Sequence, residues 1–223
     1  MKPESSLNYI YIPAKEKSSG KSPVLLVMHG VGSNEKDLAQ FAETLDPRFA
    51  VISLRAPLTL APNSFAWFHV KFTDQRPEHN REQAEQSRQL IKKFIEDLKE
   101  NPDIDASKIV LLGFSQGTIM SLSLALTEPE LVCGVIAISG RTLQEVSALA
   151  ANKHYTKTPK ILLIHGVNDS KLPLYHGEET AETLRKAHFD FEFKTYPADH
   201  TITTDMRNDI RQWLAKQIES NSR

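Results

Sequence analysis

Ile109-Val110-Leu111-Leu112-Gly113-Phe114-Ser115-Gln116-Gly117-Thr118-Ile119-Met120 joins a short run that is apolar on both faces to a stretch of helical period. A strand covered on both sides reads as a near-continuous Val/Ile/Leu segment. The pattern Gly-x-Ser-x-Gly closes that run. Glycines two residues before and after a serine suit a sharp strand-to-helix turn, where the backbone is strained and its neighbours come close. Such a turn holds a hydroxyl clear at the end of a parallel strand. Taken alone, the same five residues also fit an ordinary glycine-flanked surface turn.

Working outward, the same punctuation recurs. Val24–Met28 ends at His29-Gly30, Phe49–Leu54 at Arg55-Ala56-Pro57, Val132–Ile138 at Ser139-Gly140, and Ile161–Ile164 at His165-Gly166. All read as buried parallel strands. Phe191–Tyr196 and Asn8–Ile12 alternate apolar with polar residues and fit strands nearer a sheet edge. Between them, Ile91, Phe94, Ile95 and Leu98 recur at helical spacing within Glu82–Glu100. Further helices are predicted at Glu35–Leu45, Gln116–Thr127, Tyr175–Ala187 and Thr204–Ser220. This alternation implies an α/β fold, a mostly parallel central sheet with helices on both faces, in one domain over residues 1–223. The stretch Ala56–His79 stays unassigned and carries Phe65, Trp67, Phe68 and Phe72; a loop that long usually serves function.

Composition narrows the function classes. Lys+Arg number 27 against 28 Asp+Glu, so no basic excess recommends nucleic acid or an anionic membrane surface. One cysteine in 223 residues rules out an internal disulfide framework or a cysteine zinc cluster. No apolar run approaches the ~18–20 residues of a spanning helix, and the polar start lacks a signal-peptide core. A soluble cytoplasmic protein is expected, with no stable membrane insertion and with room for a homodimer. Nine glycines in 223 residues is about 4%, below the usual ~7%. Six of the nine (Gly30, Gly32, Gly113, Gly117, Gly140 and Gly166) fall at predicted strand ends.

A serine hydroxyl needs a base, and the base needs an orienting acid. For this turn the expected chain order is Ser, acid, His. Of His176, His188 and His200, the first two fall in or beside a predicted helix. His200 follows the strand Phe191–Tyr196, where a loop can reach Ser115. Asp169 follows Ile161–Ile164 on a loop; Asp199 adjoins His200 too closely to grip its ring, and Asp190 starts a strand. The expected triad is therefore Ser115, Asp169 and His200. The backbone N–H groups of Gln116, at the helix start, and of Val31, in His29-Gly30-Val31-Gly32, are the expected donors to a developing oxyanion. For His29 and His165 themselves a structural hydrogen bond is the expected role. A metal hydrolase is disfavoured by the lack of a His-x-x-x-His helix, and no metal site is predicted. Cys133 reads as a small core residue.

In order along the chain, Met28-His29-Gly30-Val31-Gly32-Ser33-Asn34-Glu35, Ala66-Trp67-Phe68, Gly113-Phe114-Ser115-Gln116-Gly117, His165-Gly166-x-x-Asp169 and His200-Thr201-Ile202 resemble the phospholipase/carboxylesterase family of the α/β-hydrolase superfamily. The likeness runs over about Val24 to Leu214, and the Gly30–Glu35 stretch is more similar to bacterial carboxylesterases than to eukaryotic acyl-protein thioesterases. It implies a compact, largely lid-free hydrolase needing no cofactor, with the same triad and the same backbone donors. The expected reaction is cleavage of small acyl esters through a serine acyl-enzyme. The alternatives are an acyl-protein thioesterase or lysophospholipase acting on a thioester or lipid, and a non-catalytic ligand-binding homologue. Phe65, Trp67, Phe68, Leu143, Leu172 and Pro173 are expected to line an apolar acyl site, the competing reading being that they cap the sheet edge. Three positions depart from the family pattern. Thr118 replaces a glycine and is expected to crowd the helix start, His69 replaces an aspartate, and Asp199 replaces a glycine. The Asp199 charge is expected to raise the pKa of His200.

Overall fold

A computed structural model describes residues 7–16, 20–71, 78–151 and 155–219; Phe72 of the aromatic stretch lies outside them. The described elements in chain order are β1 (Tyr9–Ile12), β2 (Ser22–Met28), α1 (Ala39–Glu43), β3 (Ala50–Leu54), β4 (Leu58–Ala61), β5 (Ser64–Ala66), β6 (Val70–Lys71), β7 (Glu78–His79) and α2 (Arg81–Lys99). They continue with β8 (Ile104–Phe114), α3 (Gln116–Thr127), β9 (Gly134–Ile138), α4 (Gln144–Ala150), β10 (Lys160–Gly166), α5 (Tyr175–Lys186), β11 (Phe191–Tyr196) and α6 (Thr204–Glu219).

The central sheet has seven strands in the order β1-β3-β2-β8-β9-β10-β11. Every pairing is parallel except that of the edge strand β1 with β3. Because side chains alternate along a strand, each strand feeds two cores. Val24, Leu26 and Met28 face one with helices α2 to α5, while Leu25 and Val27 face the other with α1 and α6. Helix α3 runs directly over the sheet and every one of its residues is buried, which explains why it carries no polar face. Among the described residues no helix is long and apolar enough to cross a membrane.

The strands follow the expected positions; the differences lie between them. Helix α1 spans only Ala39–Glu43 rather than Glu35–Leu45, because Glu35 turns to bind Arg55 and Asp37 turns to accept from the Ser33 hydroxyl. The Ala56–His79 stretch contains two small two-stranded sheets, β4-β5 and β6-β7. Helix α4 was not expected; it is short, and only Val146 and Ala150 along it are buried.

Candidate active site

All parallel strands point their C-terminal ends to one edge, where crevices form in open α/β sheets. At the end of β8, Ser115 sits between strand and helix with φ 54° and ψ −116°, a conformation rare for a residue with a side chain. Two backbone bonds pin the turn: Ser115 N–H donates to Ile138 O (2.9 Å), and Ile119 N–H to Ser115 O (3.2 Å). Gly117 is required here by close approach, since a Cβ on it would lie 2.0 Å from Met28 O. As the first residue of α3, Gln116 has a backbone N–H with no carbonyl four residues back inside the helix. Its side chain is buried and spans the neighbouring segment, accepting from Trp67 N–H (2.7 Å) and donating to Phe68 O (2.8 Å).

The loop after β2 lies against the serine: a Cβ on Gly30 would stand 3.3 Å from Ser115 Cβ. Val31, 51% exposed, tops a turn closed by Ser33 N–H donating to Gly30 O (3.3 Å) and Gly32 N–H donating to Phe65 O (2.8 Å). Below it, His29 is fully buried and serves structure. Its Nδ1 donates to Gly30 O (2.7 Å) and its Nε2 accepts from Ala56 N–H (3.1 Å), a pattern that fixes the neutral tautomer. Burial holds its pKa below the ordinary histidine value.

After β10, the Asp169 carboxylate is completely buried and fully used. Its Oδ1 accepts from Leu172 N–H (2.7 Å) and Lys171 N–H (3.0 Å), and its Oδ2 stands 2.8 Å from His200 Nδ1. The His165 ring closes the same loop by donating Nε2–H to Leu172 O (2.7 Å). His200 follows β11 and lies tilted against Phe114, with ring centroids 4.9 Å apart. Ser115, His200, Val31 and Gln116 all line one cavity of about 1170 Å³. Its size suits a small-molecule ligand.

Of the six residues expected in the acyl site, Phe68, Leu172 and Pro173 line this cavity. Phe65, Trp67 and Leu143 lie outside its lining. Trp67 is fully buried with its indole N–H donated to His29 O (3.0 Å), Phe65 is covered by Arg55 (4.6 Å to the ring centroid), and Leu143 is buried where α4 begins. Sequence reasoning passed over Arg141, Ile119 and Tyr175, which also line the cavity. Position just past the strand end β9 was the available signal for Arg141.

The three departures each find a structural use. Thr118 does not crowd the helix, because Gly140 faces it with no side chain; a Cβ there would come within 2.3 Å. The Thr118 hydroxyl instead bonds Gly113 O (2.7 Å), Ile138 O (2.7 Å) and Ile138 N–H (2.9 Å). His69 shares the Gln83 side chain at the start of α2, its Nδ1 lying 3.0 Å from Gln83 Oε1. Asp199 Oδ1 accepts from Ser170 N–H (2.7 Å), Ser170 Oγ–H (2.9 Å) and its neighbour His200 N–H (2.7 Å). Those N–H donors hold its carboxyl below the usual range.

Residues 11–218 match the family model described as Phospholipase/Carboxylesterase. Acyl-protein thioesterase 1 of Kluyveromyces lactis is 26% identical over 96% of this chain and 99% of its own. Esterase YpfH of Escherichia coli is 31% identical over 74% of this chain and 69% of its own. Among solved structures, esterase PE8 superposes with a TM-score of 0.81 at 26% identity, covering 94% of this chain and 98% of that one.

Proposed function

From the premise that this chain belongs to the phospholipase/carboxylesterase family of α/β-hydrolases and is a carboxylic ester hydrolase, we propose that Ser115, His200 and Asp169 are its catalytic triad. The observation that carries this reading is the His200 Nδ1 to Asp169 Oδ2 contact of 2.8 Å, with His200 lining the same cavity as Ser115.

In the proposed cycle, Ser115 Oγ attacks the carbonyl carbon of the ester while His200 Nε2 takes its proton. Asp169 accepts from Nδ1–H, holds the ring in that tautomer and stabilises the imidazolium. The N–H groups of Val31 and Gln116 donate to the tetrahedral oxyanion. His200 then protonates the departing alcohol or thiol. Water, deprotonated by His200, attacks the acyl-serine and releases the carboxylic acid, returning the proton to Ser115. Phe68, Leu172 and Pro173 supply apolar contacts to the acyl group.

Small-molecule esters are the proposed substrates, hydrolysed in the cytoplasm without cofactor or nucleic-acid partner. The near end-to-end likeness to a yeast acyl-protein thioesterase favours thioesters as a second reading; a panel of oxygen and sulfur esters of matched acyl length separates the two. The decisive test of the triad is Ser115→Ala assayed on 4-nitrophenyl pentanoate. By analogy with other serine hydrolases the loss in kcat is on the order of 10⁶, with loss of labelling by a fluorophosphonate. Near-normal turnover by the variant overturns the assignment.

A further inference from the structure

The active-site cavity holds a cation that the proposed cycle does not use. Among the described residues, four arginines are buried or half-buried: Arg48, Arg55, Arg88 and Arg141. Three of them hold a carboxylate within hydrogen-bonding distance: Arg48 with Asp46 (2.6 Å), Arg55 with Glu35 (2.5 Å) and Arg88 with Glu85 (2.6 Å). Arg141 holds none. Its guanidinium makes one long bond, 3.4 Å from Nη1 to the carbonyl of adjacent Thr142, and no aromatic ring of the described residues covers it. Burial lowers its pKa, outweighing the opposing pull of Glu145, Tyr175 and Glu179.

The backbone around Arg141 is fixed. Ser139 N–H donates to Ile164 O (2.9 Å) and Thr142 N–H to Thr180 Oγ1 (3.0 Å). Gly140, directly before it, abuts the nucleophile's turn, a Cβ there reaching 3.0 Å from Ser115 O. The nearby acids Glu145 and Glu179 act on the guanidinium only through space, without forming an ion pair with it. Glu145 is bound by His79 (2.6 Å) with Arg81 at 3.9 Å, and Glu179 stands out in solvent at the rim beside His176 (3.8 Å). A planar donor fork left open in a cavity matches a carboxylate.

We propose that Arg141 is a specificity-determining residue that binds a carboxylate carried by the substrate, so that the enzyme prefers anionic esters over neutral ones of equal length. This rests on the esterase reading above.

The test compares 4-nitrophenyl hydrogen glutarate, with a carboxylate on the acyl group, and 4-pentanoyloxybenzoate, with one on the leaving group, against neutral 4-nitrophenyl pentanoate. For one of the two charged esters, kcat/KM relative to the neutral ester falls roughly tenfold or more in Arg141→Gln, mainly through KM, and Arg141→Lys restores part of it. The ester that responds shows which end of the substrate Arg141 reads. Ratios within twofold of wild type for both charged esters overturn the proposal. Glutarate titrated calorimetrically into the wild type and into Arg141→Gln reads the same site without turnover. A tenfold loss of affinity in the variant supports the anion site even if no ester is cleaved, in which case the esterase reading alone fails. Equal glutarate affinity in both proteins, or no glutarate binding to the wild type, overturns the site. Should Arg141→Gln not fold, a wild type with no preference for either charged ester and no affinity for glutarate overturns it as well.

Discussion

Asp199 and Ser170 join the two loops that carry His200 and Asp169, the proposed base and its acid. The carboxylate oxygen beside His200 takes both the N–H and the hydroxyl of Ser170, one residue past Asp169, at 2.7 and 2.9 Å. An acceptor at this position therefore sets the reach of His200 toward Asp169. Asp199→Ala is expected to lower kcat about tenfold, a loss in line with proximity and orientation effects, with little change in KM. Asp199→Asn keeps an accepting oxygen and should stay within about threefold of wild type. Equal losses in Ala and Asn would show that the charge, rather than the acceptor, matters.

Thr118 welds the start of α3 to the ends of β8 and β9. Replacing it with Val keeps the shape but leaves Ile138 N–H without its partner (2.9 Å) in a fully buried place. The expected loss is about 1–3 kcal/mol of unfolding free energy, read from urea denaturation. A loss well under that range would mean that another acceptor reaches the freed N–H.

His29 gives the fold an acid-sensitive joint. Its folded pKa lies below the ordinary value, so near pH 6.5 and below, the unfolded chain binds a proton that the folded chain refuses. More protons bound in the unfolded state means stability falls with pH, from about 6.5 down through the lowered value. His29→Gln can still donate and accept without titrating. Its melting temperature should be lower than wild type at pH 7.5 yet fall less between pH 7 and pH 5. Parallel curves would place the titration elsewhere.

Cys133 precedes β9 at the end opposite the site, and burial pushes its thiol up to about 11. At pH 8 only roughly a thousandth of it is thiolate, the reactive form. An aromatic disulfide reagent should therefore react slowly with the native protein, quickly in urea, and without effect on ester turnover. Rapid native labelling with loss of activity would contradict this.

The parallel strands and the serine turn were readable because their requirement is local: a strand apolar on both faces and glycines where backbones touch. Ser115, Asp169 and His200 were each expected just past a strand end, and they follow β8, β10 and β11. Trp67 and Phe65 could not be placed, since aromatic residues in an irregular stretch look alike whether they face solvent, a ligand or the core. Trp67 was decided by His29 O, a partner 38 residues away. The Ala-Asp-His order showed an acid beside the base but not that it points toward Ser170. Strand β8 begins at Ile104, earlier than its apolar run, because Ile104 pairs with Ser22 across a bulge that no side-chain pattern announces.

The two bonds from the Gln116 side chain to Trp67 and Phe68 have a consequence for how this enzyme can change. The Gln116 backbone stands next to Ser115 while its amide clamps one wall of the cavity, so that wall and the proposed nucleophile form a single rigid unit. Reshaping that wall for a bulkier acyl group disturbs Ser115 at the same time. The opposite wall, around Arg141, Leu172 and Tyr175, meets the site through backbone bonds instead, Ser115 N–H donating to Ile138 O (2.9 Å) and Leu172 N–H to Asp169 Oδ1 (2.7 Å). Divergence toward new substrates is therefore channelled to that side, where sequence can drift while the reaction chemistry is kept.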